Sequence, residues 1–143
     1  MHRTVTAFAA TLALTGMALA HANTKDPTVK AWMANMKAIA DETKTIGQMV
    51  RNQAAFDADA ANASLSRIAG YSADIPVLFS EKADDPTSEA RDLIWSDWPA
   101  FEKEAARLTD LTGNRAVASP DELRLALTEF GATCKSCHGT YRD

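Results

Sequence analysis

The sequence has few of the residues that interrupt helices or build sheets. Its 143 residues include only six glycines, five prolines and two cysteines, and aromatic residues make up 7%. So few breaking residues leave room for long helices. A sheet protein would carry more β-branched and aromatic residues at a period of two. We therefore predict one all-α domain.

The first 22 residues have the pattern of a secretory signal peptide. A basic start at Arg3 precedes an apolar run, and the small residues ALA and AHA that follow both fit a cleavage site. We favour cleavage after Ala22, with Ala20 as the alternative. The apolar run is too short and too rich in alanine and threonine to fill the ~20 residues of a membrane-spanning helix. The sequence thus predicts a signal peptide at 1–22, a domain at 23–143, a periplasmic location and no membrane span.

The charge balance bears on the class of partner. The formal net charge is −4 at pH 7, and loss of Arg3 with the signal peptide makes the mature chain one unit more negative. Nucleic-acid phosphates need a basic surface. We therefore expect no nucleic-acid partner.

Four helical patterns follow the signal peptide, and the first opens at KDPT. Asp26 is its predicted N-cap and Pro27 its first helical residue, and the pattern runs to about Val50. Apolar residues recur at steps of three and four, which is typical of one helix face. They form two overlapping stripes: Val29, Met33, Met36, Ala40, Thr43, Gly47 and Val50, and Trp32, Met36, Ile39 and Ile46.

The second and third patterns are divided by polar breaks. The second begins near Asp57 as N-cap and ends at SEKADDPTS. The third is predicted as a short helical turn around Ile94 and Trp95, followed by a helix over about 98–111. Pro99 costs least in the first turn of that helix, which Ser96 or Asp97 would cap.

The fourth pattern begins at SPDE and carries the C-terminal motif. Ser119 is the predicted N-cap, Pro120 the first helical residue, and Glu122 reaches back to complete a capping box. Four amphipathic helices with modest loops predict an antiparallel four-helix bundle.

The last thirteen residues, GATCKSCHGTYRD, hold both cysteines and a histidine directly after the second one. A disulfide between Cys134 and Cys137 would close a tiny loop and constrain little of the unfolded chain. A redox dithiol would lie at a helix N-terminus in a βαβ pattern, not near the end of a helix in an all-helical chain. Zinc would need four ligands, and the sequence offers no second pair.

Covalent haem attachment accounts for every member of the CKSCH motif. Thiols three residues apart lie on one side of a helix and can add to the two vinyl groups of haem. The adjacent His138 can then ligate the iron, and it is the only histidine left after cleavage at Ala22. The sequence therefore predicts one covalent haem c, held by Cys134, Cys137 and His138.

These residues resemble the class II cytochromes c, the cytochrome c′ family, over the whole mature chain. The resemblance rests on GATCKSCHGTYR, on IWSDWPAF before the third long helix and on MKAI in the first. It implies an up-down-up-down four-helix bundle with haem near one end and His138 as the proximal iron ligand. It also implies that Arg142 lies beside the haem, a role that competes with helix C-capping, and that Tyr141 packs against the haem.

The residue across the iron separates two branches of this family. Cytochromes c′ place an apolar residue there and leave the iron five-coordinate, whereas low-spin relatives place a methionine in a pattern similar to MK-x-I. Met36, in MKAI, occupies the matching position and is the predicted distal ligand, against the alternative of an ordinary core methionine. Met33 is the second choice. Relatives commonly carry an arginine four residues earlier, near a haem propionate; here that residue is Trp32, which we also place in the haem pocket.

Three functions follow from these observations. The leading hypothesis is a periplasmic one-electron carrier with a six-coordinate His/Met haem, docking transiently on unidentified redox proteins. The second is a five-coordinate, cytochrome c′-like protein that binds NO or CO, and the third a haem-free helical module with an incidental motif. We find no base paired with a nucleophile and predict no enzyme. The stripes do not distinguish a monomer from a homodimer.

Overall fold

The computed structural model describes residues 23–143, and these form a bundle of α-helices. The helices are Pro27–Val50 (α1), Ala58–Leu78 (α2), Leu93–Ser96 (α3), Trp98–Gly113 (α4) and Pro120–Tyr141 (α5). None of them is both long enough and apolar enough to cross a membrane. The predicted signal peptide, residues 1–22, lies outside the described residues.

The first two long helices begin where the sequence predicts. The side chain of Asp26 accepts hydrogen bonds from the backbone N–H groups of Thr28, at 2.7 Å, and Val29, at 3.0 Å. Asp57 accepts one from Ala60 at 2.9 Å. These contacts satisfy N–H groups that the first turn of a helix leaves free, so the two starts are fixed locally.

The caps of α4 and α5 differ in detail from the prediction. Ser119 accepts from the N–H of Glu122 at 3.3 Å, as expected, but the Glu122 carboxylate accepts from the N–H of Ala118, at 2.6 Å, one residue before the N-cap. Asp97 is the N-cap of α4, yet its side chain makes no capping hydrogen bond. Pro99 makes this omission less costly because a proline in the first turn has no N–H to satisfy.

The four long helices surround one core, in the order α1, α2, α4, α5, and α5 packs against α1 to close the ring. The short helix α3 leads directly into α4. This arrangement confirms the predicted four-helix bundle. Its fully buried large side chains include Val29, Ile46, Leu65, Ile68, Leu123 and Phe130.

An aromatic cluster fills the end of the bundle where α1 starts. Trp32 is only 3% exposed, stacks on Phe79 with ring centroids 4.5 Å apart, and donates its indole N–H to the carbonyl of Leu78 at 2.6 Å. Trp95 lies 5.6 Å from Trp32 and donates to the carbonyl of Phe79. Each aromatic pair contributes about 0.5–1.5 kcal/mol beyond the area that it buries.

A buried carboxylate anchors the start of α1. Asp85, in the loop after α2, is 6% exposed and accepts from the backbone N–H groups of Lys25, at 2.8 Å, and Asp26, at 3.0 Å. It also accepts from the N–H and the hydroxyl of Thr87. These donors, with the Asp26 N–H first, hold the pKa of Asp85 well below its usual range. The loop thereby fixes the end of the helix that carries Met36.

The connection that contains Asp85 also holds the end of α5, through residues 89–91; we call this contact the clamp. Residues Ala90 and Arg142 pair as an antiparallel bridge, and the N–H of Arg91 donates to the carbonyl of Tyr141 at 3.0 Å. The Arg91 guanidinium donates to the carbonyls of Gly139 and Thr140, each at 3.3 Å. Arginine contacts of this kind satisfy the free carbonyls of a helix C-terminus, here in the turn that follows His138.

Candidate cofactor-binding site

A cavity of about 450 Å³ opens between α1, α4 and α5. Its volume falls in the range of ordinary cofactor pockets. Most of its wall is apolar, supplied by Ile39, Ala40, Ile75, Phe101, Ala105, Leu108 and Leu127. The C-terminal motif and Met36 complete the lining, so the cavity joins residues that are about a hundred positions apart in the sequence.

The α5 wall carries the three motif residues. Cys134 and Cys137 are free and half-buried, and His138 follows on the same helix. Residues three and four apart on a helix share a face, so both thiols and the imidazole line one cavity. A flat ring can be attached through two of its substituents, and its metal can be bound, only if the two thiols and the imidazole face the same space. The α5 wall meets this requirement.

The thiols are poorly suited to acid–base or metal chemistry on their own. Burial raises the pKa of Cys134, and burial, followed by the nearby Glu104 and Cys134, raises that of Cys137 to about 11. The thiolate is the reactive and zinc-binding form. Among residues 23–143, no three His, Cys, Asp or Glu side chains are grouped to hold a metal ion. Both observations disfavour the redox dithiol and zinc alternatives.

The surroundings of His138 lower the pKa of its imidazole. Burial lowers its pKa most, the positive charge of Arg142 lowers it further, and Glu89 acts in the opposite direction. Neutral imidazole is the form that ligates iron. The electrostatics around His138 therefore favour the protonation state that an axial ligand needs.

The α1 wall contrasts with the α5 wall in having small residues. Met36 is half-buried and lines the cavity, with Ala40, Thr43 and Gly47 following on the same face. The two overlapping stripes of the predicted first helix do not divide cleanly between core and cavity. Trp32 and Ile46 pack into the core, Met36, Ala40 and Gly47 line the cavity, and the buried Ile39 does both.

The environment of Glu104 is consistent with a bound molecule in this cavity. One of its carboxylate oxygens is buried in the lining and has no hydrogen-bond partner among the described residues. Buried polar atoms without a partner are rare in folded proteins. A largely apolar cavity with two thiols, an imidazole and a thioether suits covalent haem, because a porphyrin is largely apolar.

Four other residues predicted for the haem pocket are not among the cavity-lining residues. Trp32 belongs to the aromatic cluster, and Met33 accepts a hydrogen bond from the Thr24 hydroxyl at 3.5 Å. Tyr141 is buried edge-on against Phe101, 5.2 Å between centroids, so it reaches the cavity only through that ring. Arg142 pairs with Glu89 across the clamp.

The structure adds lining residues that the sequence analysis missed. Ala40, Lys44 and Arg51 continue the α1 wall, and Glu104 contributes from α4. The signal for Glu104 was present, since it lies three residues after Phe101 on the apolar face of α4. Lys44 and Arg51 read as ordinary solvent-exposed charges, and only the shape of the cavity reveals them.

The comparisons with known proteins agree with this geometry. The family model described as Cytochrome C′ matches residues 27–142. Cytochrome c′ of Pararhodospirillum photometricum is 30% identical over 113 residues, covering 76% of this chain and 90% of that protein. Cytochrome c-556 of Agrobacterium tumefaciens is 31% identical over 115 residues, covering 78% and 91%.

Solved structures give the same result. The nitric oxide complex of a leucine-to-alanine mutant of cytochrome c prime from Alcaligenes xylosoxidans superposes with a TM-score of 0.70. The two chains are 27% identical, and the match covers 81% of this chain and 93% of that one. The helix bundle thus has a counterpart over nearly the whole of that domain.

Proposed function

Because this chain belongs to the cytochrome c′ family, whose members carry one covalently attached haem c, we propose that His138 and Met36 are the two axial iron ligands of a one-electron carrier. The observation that carries this proposal is the meeting of Met36, from α1, with Cys134, Cys137 and His138, from α5, in one cavity. Nothing in the local sequence of α1 requires Met36 to face this cavity.

Each side chain has a defined part in this proposal. The thiols of Cys134 and Cys137 would hold the haem as thioethers, and the neutral imidazole of His138, on α5, would be one iron ligand. The Met36 thioether, on α1, would be the other, a soft ligand that raises the reduction potential. The apolar lining excludes water and lowers the local dielectric constant. When bound, the haem supplies the one-electron couple of its iron.

The proposal extends to the location of the protein. The sequence predicts a signal peptide at 1–22 and an exported, mature domain at 23–143, which suits a haem c protein of this family. We propose that this domain functions in the periplasm. Its partners would be redox proteins that bind transiently. This function requires no catalytic residue in the protein.

A gas-binding protein is the second candidate. One relative in the comparison is a nitric oxide complex, and the small side chains beside Met36, Ala40 and Gly47, leave space on the α1 side of the cavity. In that case Met36 would be a cavity residue, and NO or CO would bind the iron in its place. The two candidates therefore differ in the role of a single side chain.

Optical spectra of the reduced protein with and without CO distinguish the two candidates. A carrier with a bound Met36 gives a low-spin spectrum that CO leaves unchanged, whereas an open iron gives a high-spin spectrum that CO shifts. Met36→Leu should convert the first behaviour into the second and lower the reduction potential, because the thioether is lost. Met33→Leu is the matched control and should change neither. If Met36→Leu leaves both spectrum and potential as they were, the ligand assignment is wrong.

A further inference from the structure

We propose that the mouth of the cavity, between α1 and α5, is a docking surface for an acidic redox partner. The inference rests on the proposed function, because the mouth is where the cavity assigned to haem opens to solvent. It adds the kind of partner and the surface that receives it. Three cations form this surface: Lys44 on α1, Arg51 at the C-cap of α1, and Lys135 on α5.

The α1 side of the mouth carries Lys44 and Arg51. Both line the cavity and both are exposed. They lie seven residues apart, which places them on one helix face. A Cβ atom added at the buried Gly47 would lie 2.9 Å from a terminal nitrogen of Arg51, so the guanidinium extends back along this face, over the glycine.

On α5 the candidate cation is Lys135, which is not itself a lining residue. It directly follows Cys134, which lines the cavity, and it is exposed. Phe130 and Thr133 are buried on the core-facing side of α5. Because each residue turns the helix by about 100°, Lys135 lies on the opposite, solvent-facing side of the cavity stripe.

These three cations have no carboxylate partner among residues 23–143. The ion pairs of the described part of the chain involve other residues, such as Lys37 with Asp41 and Arg67 with Glu42. Arg51 donates only to the neutral side chain of Gln53, at 3.3 Å. The charges at the mouth are therefore available to a partner.

The segment that forms α2, α3 and α4 has the opposite sign. Residues 57–113 contain twelve acidic and five basic residues, and the whole chain has a net charge of −4. This uneven distribution gives the molecule an electric dipole. An acidic partner is repelled by the α2–α4 segment and attracted to the three cations, so the field both accelerates and orients the encounter.

Small redox reagents of opposite charge test this surface directly. The reduced protein transfers one electron to hexacyanoferrate(III), giving hexacyanoferrate(II), or to the cationic tris(phenanthroline)cobalt(III), and stopped-flow absorbance gives the two rate constants. We expect the reaction with the anion to slow as salt is added, despite the negative net charge of the protein, because salt screens attraction at the mouth. A reaction with the anion that salt accelerates would overturn the proposal.

A pair of charge-reversed variants separates local charge from net charge. Lys44→Glu combined with Lys135→Glu should slow the reaction with hexacyanoferrate(III) roughly tenfold at low ionic strength. Lys103→Glu combined with Arg107→Glu makes the same change of net charge on exposed positions of α4, and should change this rate less than twofold. Equal effects of the two pairs would contradict a docking site at the mouth.

Polymers of known charge identify the class of partner. Polyglutamate should slow the reaction of the wild-type protein with hexacyanoferrate(III) and should not affect the Lys44→Glu, Lys135→Glu variant. Inhibition by polylysine instead of polyglutamate would contradict the assignment of an acidic partner. Because Lys44 lines the cavity, the spectrum of the Lys44→Glu, Lys135→Glu variant and its response to CO are measured as well. A slowed reaction with a wild-type spectrum supports docking, whereas an altered spectrum would show that Lys44 acts on the cofactor and would overturn the proposal. A wrong ligand assignment appears separately, in the spectrum of the wild-type protein.

Discussion

The two helices that face each other across the cavity, α1 and α5, are built differently. The α5 wall presents two thiols and an imidazole, and its last turn is held by polar contacts from residues 89–91. The α1 wall presents Met36 followed by small side chains, and the N-terminal end of α1 is tied to the buried carboxylate of Asp85. In our proposal α5 supplies the covalent bonds and one iron ligand, whereas α1 supplies the shape of the wall and the second iron ligand.

This difference indicates where substitutions are tolerated. Groups that bond to a cofactor have no substitute, since their chemistry is required. A wall that contributes only its shape is disrupted by substitutions that change side-chain volume. The anchors of the two helices also differ, because Asp85 is buried whereas the Arg91 side chain is 41% exposed.

The largest effect should come from the α5 wall. His138→Ala removes the proposed iron ligand, and we expect the purified protein to lack haem, as measured by a pyridine haemochrome assay. Ser136→Ala, at an exposed position within the same motif, should keep the full haem content. A stable, normally coloured His138→Ala protein would refute the proximal assignment.

The α1 wall should respond to volume. Ala40→Trp places a large ring in the cavity, where overpacking costs about 1–3 kcal/mol, and should lower the ratio of haem to protein several-fold. Ala34→Trp introduces the same ring at an exposed position of the same helix and should leave that ratio unchanged. Equal haem contents in both variants would show that α1 does not limit the space for the cofactor.

The anchor of α1 should confer an acid-dependent stability. The pKa of Asp85 is lowered in the folded state, so its contribution is present above the unfolded-state value of about 3.9 and is lost as the pH falls through its folded-state pKa. Asp85→Asn should lower the thermal unfolding midpoint at pH 7 and weaken its dependence on pH between 5 and 2. The exposed neighbour Asp84 provides the control variant, Asp84→Asn, which should retain the wild-type pH profile.

The anchor of α5 should contribute least to global stability. Arg91→Met removes an exposed ion pair with Asp143 and two bonds to helix carbonyls, which should cost about 0.5 kcal/mol in urea unfolding. Arg67→Met breaks the similarly exposed pair with Glu42, far from the α5 end, and serves as the control. If the clamp positions His138, only Arg91→Met should shift the reduction potential. Equal potentials in both variants would limit the clamp to a structural role.

Local signals explain why the helices could be predicted. Asp26, Asp57 and Ser119 each cap a helix with a side chain a few residues from the groups that it satisfies, so a short stretch of sequence contains both partners. The spacing of Cys134, Cys137 and His138 is likewise contained within one helix turn. The missed details, such as the Glu122 contact to Ala118, are shifts of one residue in that same local pattern.

Nonlocal contacts explain what could not be predicted. Trp32 belongs to a stripe that the periodicity identified, but its core position depends on Phe79 and on the carbonyl of Leu78, which lie more than 40 positions later. The clamp on α5 joins residues 89–91 to the last residues of the chain. Neither contact leaves a signal in the periodicity of one helix.

The sequence by itself determined the helices, their caps and the motif for one haem c, because hydrogen bonds and spacing within a helix depend on near neighbours. Only the tertiary structure decided which α1 residues face the cavity, brought Met36 to the motif residues and placed Lys44 and Arg51 in the cavity wall. Those placements depend on how whole helices rotate against one another to bury their apolar faces, and that free energy belongs to the packed bundle rather than to any single segment.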